Sequence, residues 1–140
     1  MSVFRTTKRV HFGHCDPAGF IFYPRYFDIV HEAEEDWFRQ ALDWPFSRSV
    51  RELKLAFPVV RLDTEYHAPS RLGDLLDIDV RVTQLGGSSL HLAFELSCEG
   101  ARRATVRLVA VQMDMTTDRP ARIDGELRAR IERFRGEVQP

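Results

Sequence analysis

Lysine is almost missing from this chain. Of 20 basic residues only Lys8 and Lys54 are lysine, which leaves 18 arginines. Arginine is the better fork for phosphate, but a bias of this kind reads more simply as codon usage. An excess of either charge is missing as well: 20 basic against 21 acidic residues gives −1. A protein that coats nucleic acid carries a strong basic excess, so no nucleic-acid partner is expected. Cysteine is scarce, with Cys15 and Cys98 alone, too few for a disulfide framework and consistent with a reducing, cytoplasmic location. No apolar run approaches the ~18 residues of a bilayer-crossing helix. The start, Met1-Ser2-Val3-Phe4-Arg5, lacks the apolar stretch of a signal peptide. No membrane contact is expected. Three catalytic signatures are missing too. There is no Gly-x-Ser-x-Gly elbow, no Gly-x-Gly-x-x-Gly loop and no Gly-Lys-Ser/Thr phosphate loop.

What is present suits one soluble globular domain over residues 1–140, with 44% hydrophobic and 29% charged residues. Val3 to Phe12 reads as a strand, with Phe4, Thr6, Val10 and Phe12 on one face. From Pro24 to Leu42 the period becomes helical. Tyr26, Phe27, Val30, Ala33, Trp37, Phe38 and Ala41 form an apolar stripe about five turns long, and Pro24 suits the first helical position. Beyond a loop with Pro45 and Pro58 the period is two. Val60, Leu62 and Tyr66 alternate with polar residues, as do Leu76, Ile78, Val80 and Val82, then Leu90 to Cys98, then Arg102 to Met115. Asp124 to Phe134 reads as a short terminal helix. The expected fold is α+β: a strand, one long helix, then four strands in a meander, the antiparallel sheet of about five strands wrapping around the helix. Its open edge invites a second copy, so a homodimer or homotetramer is expected.

The segment richest in chemistry is His14-Cys15-Asp16-Pro17-Ala18-Gly19-Phe20-Ile21-Phe22-Tyr23-Pro24. An acid closes a strand, and seven residues later a largely apolar helix begins with free N–H groups and the positive end of its dipole. Such N–H groups can hold the oxyanion formed when a thioester or ester carbonyl is attacked, with Asp16 as base or nucleophile beside them. The same Asp-Pro-Ala-Gly run is equally an ordinary turn sequence. A metal site built on His11, His14, Cys15 and Asp16 is not expected: a second ligand cluster is missing, and on an extended chain His11 and His14 point to opposite sides. Cys15 has no base partner and reads as a small packed residue.

These residues carry a resemblance. The stretch from Phe12 to Phe38 resembles the signature of hotdog-fold acyl-CoA thioesterases, the group that includes 4-hydroxybenzoyl-CoA thioesterase. Gly73-Asp74-Leu75-Leu76 and Gly87-Ser88-Ser89 match that family's later turns. The resemblance implies a hotdog fold and hydrolysis of an acyl-CoA thioester, of aromatic, benzoyl type, with coenzyme A as part of the substrate and no separate cofactor or metal. It places Asp16 on the catalytic carboxylate, as nucleophile or general base, and the backbone N–H of Tyr23 on the oxyanion donor. Gly19, Phe22, Pro24 and His31 fall on the substrate side, with His31 where the 4-hydroxybenzoyl enzyme reads a ring hydroxyl through Asp. Ser88, Ser89, Arg102 and Arg103 are the expected coenzyme A contacts, with Arg119 and Arg122 as further basic candidates. Aliphatic acyl-CoA hydrolysis and a non-catalytic acyl-CoA-binding module are the rival readings. Hotdog hydratases resemble the chain in fold, but their Asp/His pair would require His at position 21, which is Ile21.

Overall fold

The computed structural model describes residues 2–136. Strand β1 (Phe4–Arg9) leads through a single 3-10 turn (Phe12–His14) and a tight loop into helix α1 (Arg25–Asp36). The helix continues as one π-helical turn (Trp37–Ala41), and a second π-helical turn (Arg48–Glu52) follows. Then come β2 (Leu55–Ala56), β3 (Val59–Tyr66), β4 (Leu75–Leu85), β5 (Ser89–Cys98), β6 (Ala101–Val111), β7 (Met113–Asp114), β8 (Arg119–Pro120) and helix α2 (Gly125–Gly136).

Five strands form one antiparallel sheet in the order β1-β4-β5-β6-β3. The inner face is apolar at every second residue, from Leu76, Ile78, Val80 and Val82 through Leu90–Cys98 to Ala104–Ala110. Tyr26, Ile29, Val30, Ala33, Trp37 and Phe38 of the long helix complete that core. The fold class is the one expected, a five-stranded antiparallel sheet around one long helix. Three details differ. The four later strands are not one meander, because β3 pairs with β6 on the far edge and only β4, β5 and β6 run consecutively. Strand β1 stops at Arg9, and Phe12, expected on its inner face, is 81% exposed on the 3-10 turn. Pro24 caps the helix instead of opening it, Ile29 joins the buried face and Ala41 lies outside it.

Polar groups tie the helix to the sheet. Asp36 Oδ2 accepts from Thr6 Oγ1 at 2.9 Å and lies 2.8 Å from Lys8 Nζ. Burial works against the Asp36 charge, but these bonds outweigh it and hold its carboxyl below the usual range. Behind the helix, Trp44 Nε1 donates to the buried Ser49 Oγ at 2.8 Å.

Strand β3 is one of the two edges of the sheet. Val59, Val60, Leu62 and Tyr66 are all at least 40% exposed, so an apolar strand lies along the rim of the sheet.

Candidate functional site

Asp16 closes a narrow hairpin. Its N–H donates to Phe20 O at 2.8 Å, and Gly19 N–H donates to Asp16 O at 3.0 Å. Phe22 N–H donates to His14 O at 2.9 Å, and Cys15 bridges Ile21. Aspartate at the first position, proline at the second and glycine at the fourth are the residues a type I turn favours, and Gly19 takes φ +84°, which extends the turn into a three-residue hairpin loop. The Asp16 carboxylate takes part: Oδ1 accepts the N–H groups of Ala18 (3.0 Å) and Phe20 (3.2 Å). Oδ2 accepts nothing among the described residues. Turn and candidate acid are therefore one structure, with one oxygen anchored and the other available.

The second leg of the hairpin runs into α1. Phe22 N–H is taken by His14, and the N–H groups of Arg25, Tyr26 and Phe27 donate to the carbonyls of Phe22, Tyr23 and Pro24 at 2.8–3.2 Å. Pro24 has no N–H. Among the described residues the Tyr23 N–H donates to no protein acceptor, and it sits at the positive end of the helix. Phe22 and Tyr23 meet edge to face with ring centroids 5.5 Å apart, and both are exposed.

The hairpin rests on the loop before β4. Ile21 N–H donates to Ser70 O, Leu72 N–H to Gly19 O and Gly73 N–H to Val10 O, each at 2.9 Å. Asp74 locks this loop. Its Oδ2 accepts Arg71 N–H at 2.9 Å and Arg103 Nη1 at 2.8 Å, which holds the carboxyl below the usual range, the Arg71 N–H contributing most. Arg103 also donates to Pro69 O at 2.9 Å. The Gly73-Asp74 turn thus props up the Asp16 hairpin.

The other expected positions divide between the two ends of the sheet. Arg102 and Arg103 open β6 at the Asp16 end; Arg102 is bound to Glu95 at 2.7 Å and Arg103 to Asp74. Ser88 and Ser89 lie at the opposite end, beyond a β4 strand that spans roughly 33 Å. Their turn is braced by Arg128, which donates to Gly86 O, and by Ile123 N–H on Gly87 O. Within one chain the four expected coenzyme A contacts are not brought together.

His11 and His14 do not point apart, because the chain turns between them. Their rings meet edge to face at 5.4 Å and His14 Nδ1 accepts the His11 N–H at 2.9 Å. Cys15 Sγ donates to His11 O at 3.5 Å, and burial, then the Asp16 charge, pushes its thiol up, away from the reactive thiolate.

One grouping escaped the sequence. Tyr26 and Tyr66 touch with centroids 5.3 Å apart, and the Tyr66 hydroxyl is pushed up by burial and by the neighbouring Tyr26 and Tyr23. All three tyrosines of the chain thus gather beside the helix entry. Tyr66 lies on the strand that pairs last in the sheet order, so its distance from Tyr23 could not be read from spacing.

The sequence profile of the thioesterase-like superfamily matches residues 10–131. The chain belongs to that superfamily. Among thioesterase relatives, the long-chain acyl-CoA thioesterase FadM of Escherichia coli (strain K12) is 29% identical over 134 residues, covering 93% of this chain and 98% of FadM. A 1,4-dihydroxy-2-naphthoyl-CoA hydrolase of Prochlorococcus marinus (strain MIT 9303) is 30% identical over 110 residues, 73% of each chain. The solved structure of BH1999 gentisyl-coenzyme A thioesterase superposes with a TM-score of 0.83 at 25% identity, covering 91% of this chain and 99% of that one. The hotdog architecture of this thioesterase-like chain follows from these likenesses and from its sheet order.

Proposed function

We propose that this protein hydrolyses acyl-CoA thioesters to the free acid and coenzyme A, and that its substrates carry an aromatic, benzoyl-type acyl group. The observation that carries the reading is the free Tyr23 N–H at the entry of α1, on the same hairpin as the Asp16 carboxylate with its available Oδ2. A thioester carbonyl oxygen accepting the Tyr23 N–H would gain stabilisation as negative charge develops on it. Asp16 then takes a proton from water as the water attacks the carbonyl carbon, or attacks that carbon itself to form a mixed anhydride that water opens. On either route the C–S bond breaks, coenzyme A leaves as thiolate, and water supplies the oxygen of the acid. The reaction needs no metal or redox cofactor.

Support for an aromatic acyl group comes from relatives named as naphthoyl- and gentisyl-CoA enzymes and from the aromatic side chains Phe22, Tyr23 and Phe27 at the helix entry. Aliphatic substrates are the second reading, favoured by the near full-length match to a long-chain enzyme. The exposed apolar edge of β3 supports assembly through a second copy. Among the described residues no helix is long and apolar enough to cross a membrane.

The test is thiol release from benzoyl-, hydroxybenzoyl-, aminobenzoyl- and phenylacetyl-CoA beside short and long aliphatic acyl-CoAs, with Asp16→Asn in parallel. Aryl turnover that falls about 10²–10⁴-fold in the variant, with the fold retained, is the expected result. Faster turnover of aliphatic chains would replace the aromatic reading, and no turnover of any thioester would overturn the enzyme.

A further inference from the structure

The two edges of the sheet differ in charge. Strand β1 holds Arg5, Lys8 and Arg9 and no acid, the kind of basic edge that resists a neighbouring strand. Strand β3 holds both signs, Arg61 with Asp63 and Glu65. Between them stand Val59, Val60, Leu62 and Tyr66, each at least 40% exposed.

The side chains of β3 divide between two faces. Leu62, Thr64 and Tyr66 pair with the buried Leu108, Val106 and Ala104 and lie on the inner face. Arg61, Asp63 and Glu65 pair with Val109, Arg107 and Thr105 on the outer one. The ladder with β6 shifts between Val59 and Arg61, so the regular strand runs from Arg61 to Tyr66. On the inner side, Val59 and Leu62 line an apolar cleft of about 240 Å³ with Phe27 and Val30 of α1. Its carboxylate, Glu34, is met by His31, whose Nδ1 lies 3.4 Å from Oε1.

A second copy laid antiparallel on β3 continues the sheet about a two-fold axis normal to it. Such an axis keeps the inner faces together, so residues that face each other share a face and one residue meets its own copy on the axis. That residue needs regular strand on both sides, which leaves Leu62, Asp63, Thr64 and Glu65. With Glu65 on the axis, glutamate meets glutamate. With Thr64 there, Asp63 faces the partner's Glu65. With Asp63 there, aspartate meets aspartate, although Arg61 faces the partner's Glu65. Leu62 alone avoids every like-charge contact. Arg61 then faces the partner's Asp63, Asp63 faces the partner's Arg61, and leucine meets leucine on the inner face. Within one chain Arg61 Nε already lies 3.4 Å from Asp63 Oδ2, so the side chains around the axis alternate in sign.

We propose that Arg61 and Asp63 seat a second copy of this chain on β3 with Leu62 at the two-fold axis, joining the two sheets into one. The inference rests on the assembly through β3 proposed above and is independent of thioester hydrolysis.

The first test is sedimentation of wild type, Arg61→Glu, Asp63→Arg and the double exchange. Wild type should sediment as a dimer or a closed multiple of it. Each single exchange sets like charges across the axis and should weaken the dimer about tenfold or more, while the double exchange restores opposite pairs and should recover it to within about threefold. Thermal unfolding confirms that each variant is folded. A double exchange as weak as the single ones overturns the register, as does a dimer that the single exchanges leave unchanged. A monomeric wild type overturns the assembly and the register together.

The second test reads the axis directly. Cysteines that face each other on paired strands lie within disulfide reach. Among Leu62→Cys, Asp63→Cys and Thr64→Cys, oxidation should link Leu62→Cys about tenfold faster than the others. Wild type, which keeps Cys15 and Cys98, is the unlinked control. Fastest linkage at position 63 or 64 moves the axis there and overturns the proposal.

Discussion

Arg103 Nη1 lies 2.8 Å from Asp74 Oδ2, and this half-buried pair holds the loop on which the Asp16 hairpin rests. Arg103→Leu leaves Asp74 with the Arg71 N–H alone and frees Pro69 O, so the expected loss is about 1–3 kcal/mol. Arg102→Leu breaks a more exposed pair with Glu95 and should cost under about 1 kcal/mol. Denaturant unfolding of the two variants side by side checks the order; equal losses would remove the structural role assigned to Asp74. The Asp74 carboxyl is held low in the folded state, so its contribution is present above the ordinary value of about 3.9 and is lost as pH falls through the lowered one.

The oxyanion donor proposed at position 23 is a backbone group, so side-chain exchange should barely touch it. Tyr23→Phe is expected to keep turnover within a few-fold. Replacing the Tyr23 amide by an ester, through semisynthesis, removes the N–H and should lower kcat about 10²–10³-fold. Single-turnover thiol release measures both, and an ester variant as fast as wild type would place the oxyanion elsewhere.

The bond to Glu34 raises the pKa of His31 above its ordinary value of about 6.5. A raised folded value means that this stabilisation is complete below about pH 6.5 and is lost as pH rises through the raised value. Proton NMR titration of the His31 ring in wild type and Glu34→Gln is the check. The midpoint should drop in the variant; the same midpoint in both would dissociate the pair.

Val60, at 62% exposure on the β3 edge, is the position where the proposed assembly through β3 is easiest to test. Val60→Lys adds a charge of the kind that natural edges use against pairing. Sedimentation should show wild type as a dimer or larger and the variant shifted toward monomer. A monomeric wild type would leave the exposed strand without its proposed cover.

Much of this molecule is written in local spacing. Asp16-Pro17-Ala18-Gly19 announces both its turn and its acid, and the helical stripe and the period-two strands survive in the structure because burial enforces them. What stayed hidden depends on pairing across the chain. The place of β3 beyond β6 is set by pairs from Tyr66 with Ala104 to Val59 with Ala110, far apart in the chain, and the tyrosine cluster follows from that placement. Glu34 was hidden for a different reason: a glutamate among charged neighbours reads as solvated, yet it lies on the buried side of α1 between Val30 and Trp37. His11 and His14 came together because three residues adopt a 3-10 turn where strand periodicity was extrapolated.

The two oxygens of Asp16 are not equivalent, and this gives Asp16→Asn a definite handedness. Oδ1 accepts two backbone N–H groups, and only the carbonyl end of an asparagine can replace it there. The amide nitrogen must then stand where Oδ2 stood. On the proposed reading, the native protein offers an incoming thioester a lone pair where the variant offers it a proton. Such a molecule is more than an inert control. On that reading it should hold an uncleaved substrate in place long enough to be seen.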